Sequence, residues 1–483
     1  MSLYQGDKAL SQFYKHANKH ASGGSDPITP ESIGAAPAPF KPAGKSYLTF
    51  SSPNSFTLAV NDATKHWDGT LEYFASDKTW ATWDGTTTLS SIDNNGDNVL
   101  YLRGTGNTVI TGGISRWVLT GFKIKCIGNI ENLLDYTTVK SGLHPTMADG
   151  CYYGMFQGCT ALTQAPDLPA TTLATYCYYG MFQGCTALIQ APYLPAITLA
   201  NYCYRAMFKD CTSLIQAPYL PAITLANSCY YEMFTGCTSL TQAPTLPATT
   251  LANYCYNGMF QGCTSLIQAP ALPATTLSDY CYSVMFQNCT SLTQAPALPA
   301  TTLANYCYNG MFFGCTSLIQ APSLPETTLA VGCYSYMFKD CTSLTQAPAL
   351  PATTLVDRCY EYMFYGCASL TQAPVLPATT LANRCYGYMF KDCTNLKLSS
   401  AKTDEYTQEY RIPSSGTGTT TSDALTNMLY NTGGTFTGTP SINTTYYLSS
   451  DNMVVRETEI ATLNGYVGAM IDAAIGNAIG GSY

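Results

Sequence analysis

Hydrophobic and polar positions recur with a fixed period of 26 residues through the middle of the chain. A phrase such as CYNGMFQGCTSL followed by IQAPALPATTL begins ten times, with its first cysteine running from Cys151 to Cys385. No copy contains an insertion. We therefore expect each copy to form one coil of a solenoid, in which neighbouring coils bury each other's apolar faces.

The pattern within one copy, numbered from its first cysteine as position 0, predicts a short helix followed by a short strand. Position −2 is usually Asn or Asp, which cap helix N-termini, and position +7 is Gly, Asp or Asn, which tolerate the left-handed end of a helix. Cys, Tyr, Met and Phe at 0, +1, +4 and +5 then face inward, and positions −1, +2, +3 and +6 face outward. Leu at +11 is predicted to be core, and prolines at +15 and +18 keep the strand that follows it short.

The regions before and after the repeats divide into segments that differ in composition. Residues 1–45 are polar and then rich in Gly, Ser, Pro and Ala, typical of an attachment segment and linker. Residues 46–125 hold short β-rich runs and all four tryptophans, which favours a small β-rich domain that caps the first coil. The tryptophans are interpreted as its core, with a sugar-binding platform as the alternative. The repeats are assigned to 126–398 and a degenerate capping copy to 399–450.

Residues 451–483 predict a C-terminal helix with regularly spaced apolar residues. Two roles stay open for it: self-association, as in a trimer, or docking on the repeats of its own chain.

Charge is scarce in this sequence: 11% of the 483 residues are charged and the net charge is −8. No basic stripe is present, which argues against nucleic acid as a partner. No apolar run is long and uninterrupted enough to predict insertion into a membrane. The first twenty residues lack the apolar core of a secretory signal, so we expect no export by that route.

The 21 cysteines have three candidate roles. A zinc site is disfavoured, because the four histidines lie outside the repeats and a spacing of eight fits no common zinc motif. A disulfide within a coil would have to bridge about 12 Å of helix, whereas disulfide Cα atoms lie about 4.4–6.8 Å apart. Bridges between coils would force alternate pairing of coils, of which the sequence shows no sign. We therefore expect free, buried thiols that act as small apolar groups, and no catalytic residue, metal or cofactor.

The repeated phrase resembles the BspA-like class of leucine-rich repeats over residues 151–398. The resemblance implies an α/β leucine-rich-repeat solenoid and a non-enzymatic binding role, because such proteins are often bacterial surface proteins that bind matrix, glycan or host proteins. The stretch DPITPESIGAAPAP, residues 26–39, is similar to a linker of phage tail-fibre proteins. It implies a phage fibre or virion appendage that folds in the host cytoplasm, where thiols stay reduced, and attaches to other virion proteins through its N-terminal segment. The alternatives are a bacterial cell-surface adhesin and a purely structural virion decoration.

Tyrosine-rich surface positions that vary between copies are the candidate sites for a host-surface glycan or protein, since tyrosine joins apolar area to a hydrogen-bonding tip. The alternative is that these positions vary because nothing constrains them. Position +16 is small from the fifth copy onward, so binding is expected in the N-terminal half. The constant Tyr at +1 and Gln at +13 are interpreted as stacking ladders. The predicted ligand-binding residues are Tyr193 and Tyr219 at +16, and Tyr153, Tyr179, Arg205 and Tyr231 at +2.

Overall fold

A computed structural model describes residues 41–113, 115–412 and 423–455. The attachment segment through residue 40, its linker motif at 26–39, and most of the predicted C-terminal helix lie outside the described residues. Among the residues described there is one helix, the sheets are open, and no helix is long and apolar enough to cross a membrane.

The region before the repeats consists of short antiparallel strands in two sheets. One sheet has the order β9-β1-β7-β3-β4, with β6 also pairing with β7, and the other has the order β5-β2-β8. The strands are β1 Leu48–Ser52, β2 Thr57–Val60, β3 Thr70–Phe74, β4 Trp80–Trp83, β5 Leu89–Ser90, β6 Ile92–Asn94, β7 Asp97–Thr105, β8 Trp117–Thr120 and β9 Ile124–Ile127. Trp67, Trp83 and Trp117 are buried in the core, which favours the interpretation of these tryptophans as structural.

A short helix, α1 (Asn132–Lys140), connects this region to the first repeat. Its backbone breaks at Asp135, which has extended rather than helical dihedral angles. The Asp135 carboxylate accepts hydrogen bonds from the amides of Thr137 and Thr138, so it caps the second part of the helix.

The predicted helix within each copy is wrong: positions 0 to +8 form a series of tight turns. In the second copy the amides of Tyr179 and Met181 bond back three residues within the copy, at 3.1 and 3.2 Å. The intervening amides of Tyr178 and Gly180 bond instead to carbonyls of the third copy, at 3.0 and 2.8 Å. An α-helix uses its amides internally, whereas here every second amide is free to join one copy to the next.

Left-handed residues make this arrangement possible. The φ angle is positive at −1, +3 and +7 in most copies, as at Tyr202 (59°), Ala206 (53°) and Asp210 (60°). The left-handed conformation predicted at +7 is therefore confirmed, but the same conformation recurs every four residues and prevents a helix.

The Asn and Asp residues at −2 cap the neighbouring copy rather than a helix of their own. The side-chain oxygen of Asn201 accepts a hydrogen bond from the backbone amide of Asn227, and the side-chain oxygen of Asn227 accepts one from the backbone amide of Asn253. The carboxylate of Asp279 does the same for the amide of Asn305. The Asn and Asp residues predicted to cap helices thus form part of the contact between copies.

The strand part of each copy is reduced to very short contacts. Two copies contain a three-residue strand, β10 (Leu162–Gln164) and β11 (Gln372–Pro374). Elsewhere parallel bridges join the Gln at +13 of successive copies, from Gln190 to Gln372. Proline at +15 has no amide to donate and limits the pairing.

The inward residues form continuous columns through the copies, as predicted. The rings of Tyr at +1 stack with centroids 5.6–5.9 Å apart, and those of Phe at +5 with centroids 5.6–5.8 Å apart. All 21 cysteines are buried and free, as expected. The two cysteine columns differ, because thiols at +8 donate to the Phe carbonyl of the preceding copy, as from Cys237 to Phe208 at 3.1 Å.

Both ends of the repeats are covered by other parts of the chain. Before the first copy, the amide of Trp117 bonds to the Met155 carbonyl at 2.7 Å, and β9 pairs in parallel with β10. After the tenth copy, residues 423–432 take the next place, with the amide of Phe390 bonded to the Met428 carbonyl at 2.9 Å.

The remaining strands complete the C-terminal end. They are β12 Lys397–Ser399, β13 Tyr406–Arg411, β14 Gly433–Gly434, β15 Thr445–Ser449 and β16 Met453–Val455. The first four form a sheet of order β13-β15-β12-β14, and β16 pairs in parallel with β11. The described start of the predicted C-terminal helix is therefore extended, as β16.

Candidate binding surfaces

The candidate residues lie on two separate surfaces of the repeats. We call the surface formed by positions −1, +2, +3 and +6 the turn side. The surface formed by positions +12 to +21, which includes both prolines, is called the proline side.

Four of the six predicted residues form one column on the turn side. The rings of Tyr153 and Tyr179 stack with centroids 4.4 Å apart and planes 5° apart. The Arg205 guanidinium follows, 5.5 Å from the centroid of Tyr179 and 4.2 Å from that of Tyr231. The structure thus joins the four residues as an aromatic column with a cation between its rings.

The phenols of Tyr153 and Tyr231 in this column stay neutral at physiological pH. Partial burial raises the pKa of Tyr153 and of Tyr231 above the usual range of tyrosine. Neutral phenols can both donate and accept hydrogen bonds. The column therefore offers flat apolar rings with hydroxyl tips and a single positive charge.

Sequence reasoning missed a second set of turn-side tyrosines at −1. Tyr176 and Tyr202 stack with centroids 4.6 Å apart, and Tyr176 also contacts Tyr179. Tyr254 and Tyr280 repeat this stacking further along. Five copies carry tyrosine at −1, which is a signal for this second set, although the position varies in the other copies.

Tyrosine is also concentrated at the C-terminal end of the turn side. Tyr336, Tyr362 and Tyr388, all at +3, stack with centroids 4.6 and 4.5 Å apart. Beside them the buried Glu361 carboxylate lies 3.4 Å from the Arg384 guanidinium. Desolvation raises the pKa of Glu361, against the attraction of the neighbouring arginines. Partly exposed aromatic surface on the turn side is therefore not confined to the N-terminal half.

The other two predicted residues lie on the proline side, away from the turn-side column. Tyr193 and Tyr219 are 65% and 53% exposed, so their outward orientation is as predicted. Within the described part of the chain their rings form no stacked pair. Sequence reasoning missed four exposed isoleucines at +12, which are Ile189, Ile215, Ile267 and Ile319. The amide of Ile215 bonds to the carbonyl of Ile189 at 3.1 Å.

Shallow cavities recur between copies on the proline side. One of about 440 Å³ lies between the first two copies and is lined by Gln164, Ile189 and Tyr193 among others. Another of about 470 Å³ lies between the fourth and fifth copies and is lined by Gln242 and Gln268 with neighbouring alanines and prolines. The proline side thus offers concave sites as well as exposed rings.

A family model described as the BspA type leucine rich repeat region (6 copies) matches residues 152–267, 208–334 and 308–409. Together these matches cover more than half of the chain. The chain belongs to the BspA-type leucine-rich-repeat family. Repeats of this type are typical of surface adhesion and binding proteins, and the family fits a repeat solenoid. Neither a curated protein nor a solved structure matches the chain.

The cysteines of this BspA-type protein contribute to packing. Desolvation raises the pKa of buried thiols such as Cys203 and Cys263 to about 12, so they stay protonated and weakly nucleophilic. Within the described ranges, no group of three or more His, Cys, Asp or Glu side chains could hold a metal ion.

Proposed function

We propose that this BspA-type protein is a non-enzymatic binding protein that recognises a glycan or a protein on a cell or other surface. The observation that carries the proposal is the turn-side column of Tyr153, Tyr179, Arg205 and Tyr231, whose side chains are partly exposed. Its stacked rings are already ordered by contacts between copies. Binding there loses little side-chain freedom, and preorganised aromatic and arginine side chains are typical of binding hot spots.

The more specific setting that we propose is a phage fibre or similar virion appendage, anchored through its N-terminal segment. Its support is the likeness of residues 26–39 to a tail-fibre linker. A bacterial cell-surface adhesin is the second candidate, and a structural virion decoration is the third. Mass spectrometry of purified virions from a lysate that contains the protein would separate them, because only a virion component stays with the particles through density-gradient purification.

Recognition can be tested by truncating the turn-side column. A Tyr179→Ala, Tyr231→Ala double variant should bind bacterial cells or a glycan array about 10–100-fold more weakly, the loss expected for one or two aromatic anchors. The matched control is Tyr430→Ala, which removes an exposed tyrosine on the C-terminal cap. Equal binding by the double variant and the wild type would contradict the assignment of recognition to the turn side. Failure of the wild type to bind any cell, glycan or protein surface would contradict the proposed function itself.

A further inference from the structure

Position +13 on the proline side is glutamine in all nine copies that extend to the second proline. Its side chain is exposed in the first seven of these copies and partly covered in the last two. The residues are Gln164, Gln190, Gln216, Gln242, Gln268, Gln294, Gln320, Gln346 and Gln372.

The fold does not use the glutamine side chains of this column. Their backbones form the parallel bridges between copies, and backbone pairing does not require a particular side chain. On the turn side, by contrast, Gln157 donates to the side chain of Gln183, and Gln261 donates to that of Gln287. No such side-chain bond joins the +13 glutamines anywhere in the described ranges. The predicted ladder at +13 is therefore formed by the backbones of the glutamines. Their side chains take no part in it within the described residues.

Other exposed positions on the same side do vary between copies. Position +12 is Thr or Ile, and position +16 takes six residue types. The copies have therefore diverged on this surface while the glutamine has not. An exposed, unpaired side chain that is the same in every copy indicates an interaction outside the chain.

The surroundings of the column indicate what kind of molecule would bind. Cavities between copies are lined by Gln at +13, Ala at +14, Pro at +15, the residue at +16 and Pro at +18. Those in the middle of the repeats, of about 330 and 470 Å³, have no charged lining residue. Charged lining residues occur in the cavities at the ends, with Asp167 at the first copies and Glu409 and Arg411 at the last. Between them, the described proline side carries one further charge, the carboxylate of Glu326 at +19 of the seventh copy. A neutral ligand is favoured over an anionic one such as nucleic acid.

We propose that the proline side binds a neutral, linear polysaccharide that lies along the stack of copies, with successive sugars over successive copies. Each glutamine amide can donate to one sugar hydroxyl and accept from another. The proline rings at +18, which are partly or fully exposed in every one of these copies, offer apolar surface to the C–H face of a sugar. Tyr193 and Tyr219 extend the same track at its N-terminal end. The inference rests on the proposed binding function and names a ligand class and a second surface for it.

Spacing favours a glycan over an extended peptide. Copies joined by parallel bridges repeat about every 4.8 Å, and a β-1,4-linked hexose chain advances by close to that distance per sugar. An extended peptide places side chains on one face about every 6.6–6.8 Å, which falls out of register within two or three copies. Successive sugars of such a chain are turned over relative to one another, so a periodic glycan can repeat the same contact at every second copy, whereas a peptide falls out of register.

The test compares two sets of glutamines in the full-length protein. One variant carries Gln242→Ala, Gln268→Ala and Gln294→Ala on the proline side. The matched control carries Gln157→Ala, Gln183→Ala and Gln261→Ala on the turn side. Binding of cellohexaose and chitohexaose is measured by calorimetry, together with depletion onto insoluble cellulose and chitin, and circular dichroism verifies folding.

We expect the wild type and the control to bind at least one of these polymers, and the proline-side variant to bind it at least tenfold more weakly. Affinity for the wild type should rise from disaccharide to hexasaccharide, because each added sugar meets another copy. Absence of binding to either polymer, equal binding by the proline-side variant, or an affinity independent of length would overturn the proposal. If the proline-side variant binds normally but turn-side tyrosine variants do not, the proposed function stands and this inference fails.

Discussion

The two sides of the repeats differ in how they hold the copies together. On the turn side the amides of Tyr178, Gly180, Phe182 and Gly184 all bond to the following copy. On the proline side the regular backbone contact between most copies is the bridge at the +13 glutamine, because the prolines remove donors. The contrast indicates that the backbone hydrogen bonds between copies are concentrated on the turn side. On the proline side, many side chains make no contact that the fold requires.

We expect the largest effect on the free energy of unfolding to come from alkaline pH, because the ionisable groups of the core lie behind the turn side. Burial raises the pKa of Cys203 and Cys263 from the usual 9.0 to about 12. Unfolded thiols lose their protons above pH 9 while folded ones keep them, so the free energy of unfolding falls as pH rises from 9 toward 12. Each thiol contributes up to about 1.4 kcal/mol per pH unit, and the repeats hold twenty of the 21 cysteines.

We therefore expect cooperative unfolding within about two pH units above 9, with stability nearly constant between pH 6 and 8. Circular dichroism under reducing conditions measures the transition. A protein that stays folded at pH 11.5 would contradict this account.

The next largest effect should come from one buried ring behind the turn side. Phe234 is fully buried and stacks on Phe208 and Phe260, so Phe234→Ala should cost about 3–5 kcal/mol through lost burial and a cavity. The proline-side control Thr249→Ala, at an exposed position, should stay within about 0.5 kcal/mol. Urea unfolding of both variants measures the loss in the free energy of unfolding. Similar losses in the two variants would contradict the difference between the turn side and the proline side.

A smaller effect should separate the two cysteine columns. In Cys237→Ser the hydroxyl can donate to the Phe208 carbonyl that the thiol already contacts at 3.1 Å. In Cys229→Ser it replaces a thiol for which the described structure shows no hydrogen-bond acceptor. The second variant should lose about 1–3 kcal/mol more than the first, the cost of burying an unsatisfied hydroxyl. Equal midpoints in urea would show that the columns are equivalent.

The smallest effect on stability should come from the proline-side tyrosines. Tyr193 and Tyr219 are largely exposed, so replacing both with Ala should change the unfolding free energy by about 0.5 kcal/mol or less. If they contact the ligand, affinity should fall by about 1–3 kcal/mol. A large loss in melting temperature would show that they support the fold, and unchanged affinity would move recognition to another surface.

Much of this architecture could be predicted from the recurrence of residue types alone. The inward columns of Cys, Tyr, Met and Phe follow from their constancy, and the left-handed residue at +7 follows from its restriction to Gly, Asp and Asn. The helix was wrongly predicted because the i, i+4 spacing of these columns is also the spacing of repeated four-residue turns. At −1 and +3 even Tyr280 and Tyr336 adopt positive φ, which is rare for bulky residues and gives no sequence signal.

The candidate sites were only partly predictable for a similar reason. Variation between copies indicates Tyr153, Tyr179 and Tyr193 as candidate ligand contacts. The same criterion excludes the glutamine at +13, because it does not vary. The +13 glutamines were therefore assigned to the fold. Only the structure separates their backbone, which pairs between copies, from their side chains, which do not.

The covered ends of the repeats have an evolutionary consequence. The amides of Ile110 and Trp117 bond to the first copy at its carbonyls 0 and +4, and residues 423–432 accept hydrogen bonds from the amides of the last copy. Copies use these same carbonyls and amides with one another. An in-frame duplication or deletion of one 26-residue unit would leave both junctions chemically unchanged. Recombination between near-identical coding units can then add or remove copies in single steps. The number of copies can therefore change over generations while the two ends stay the same.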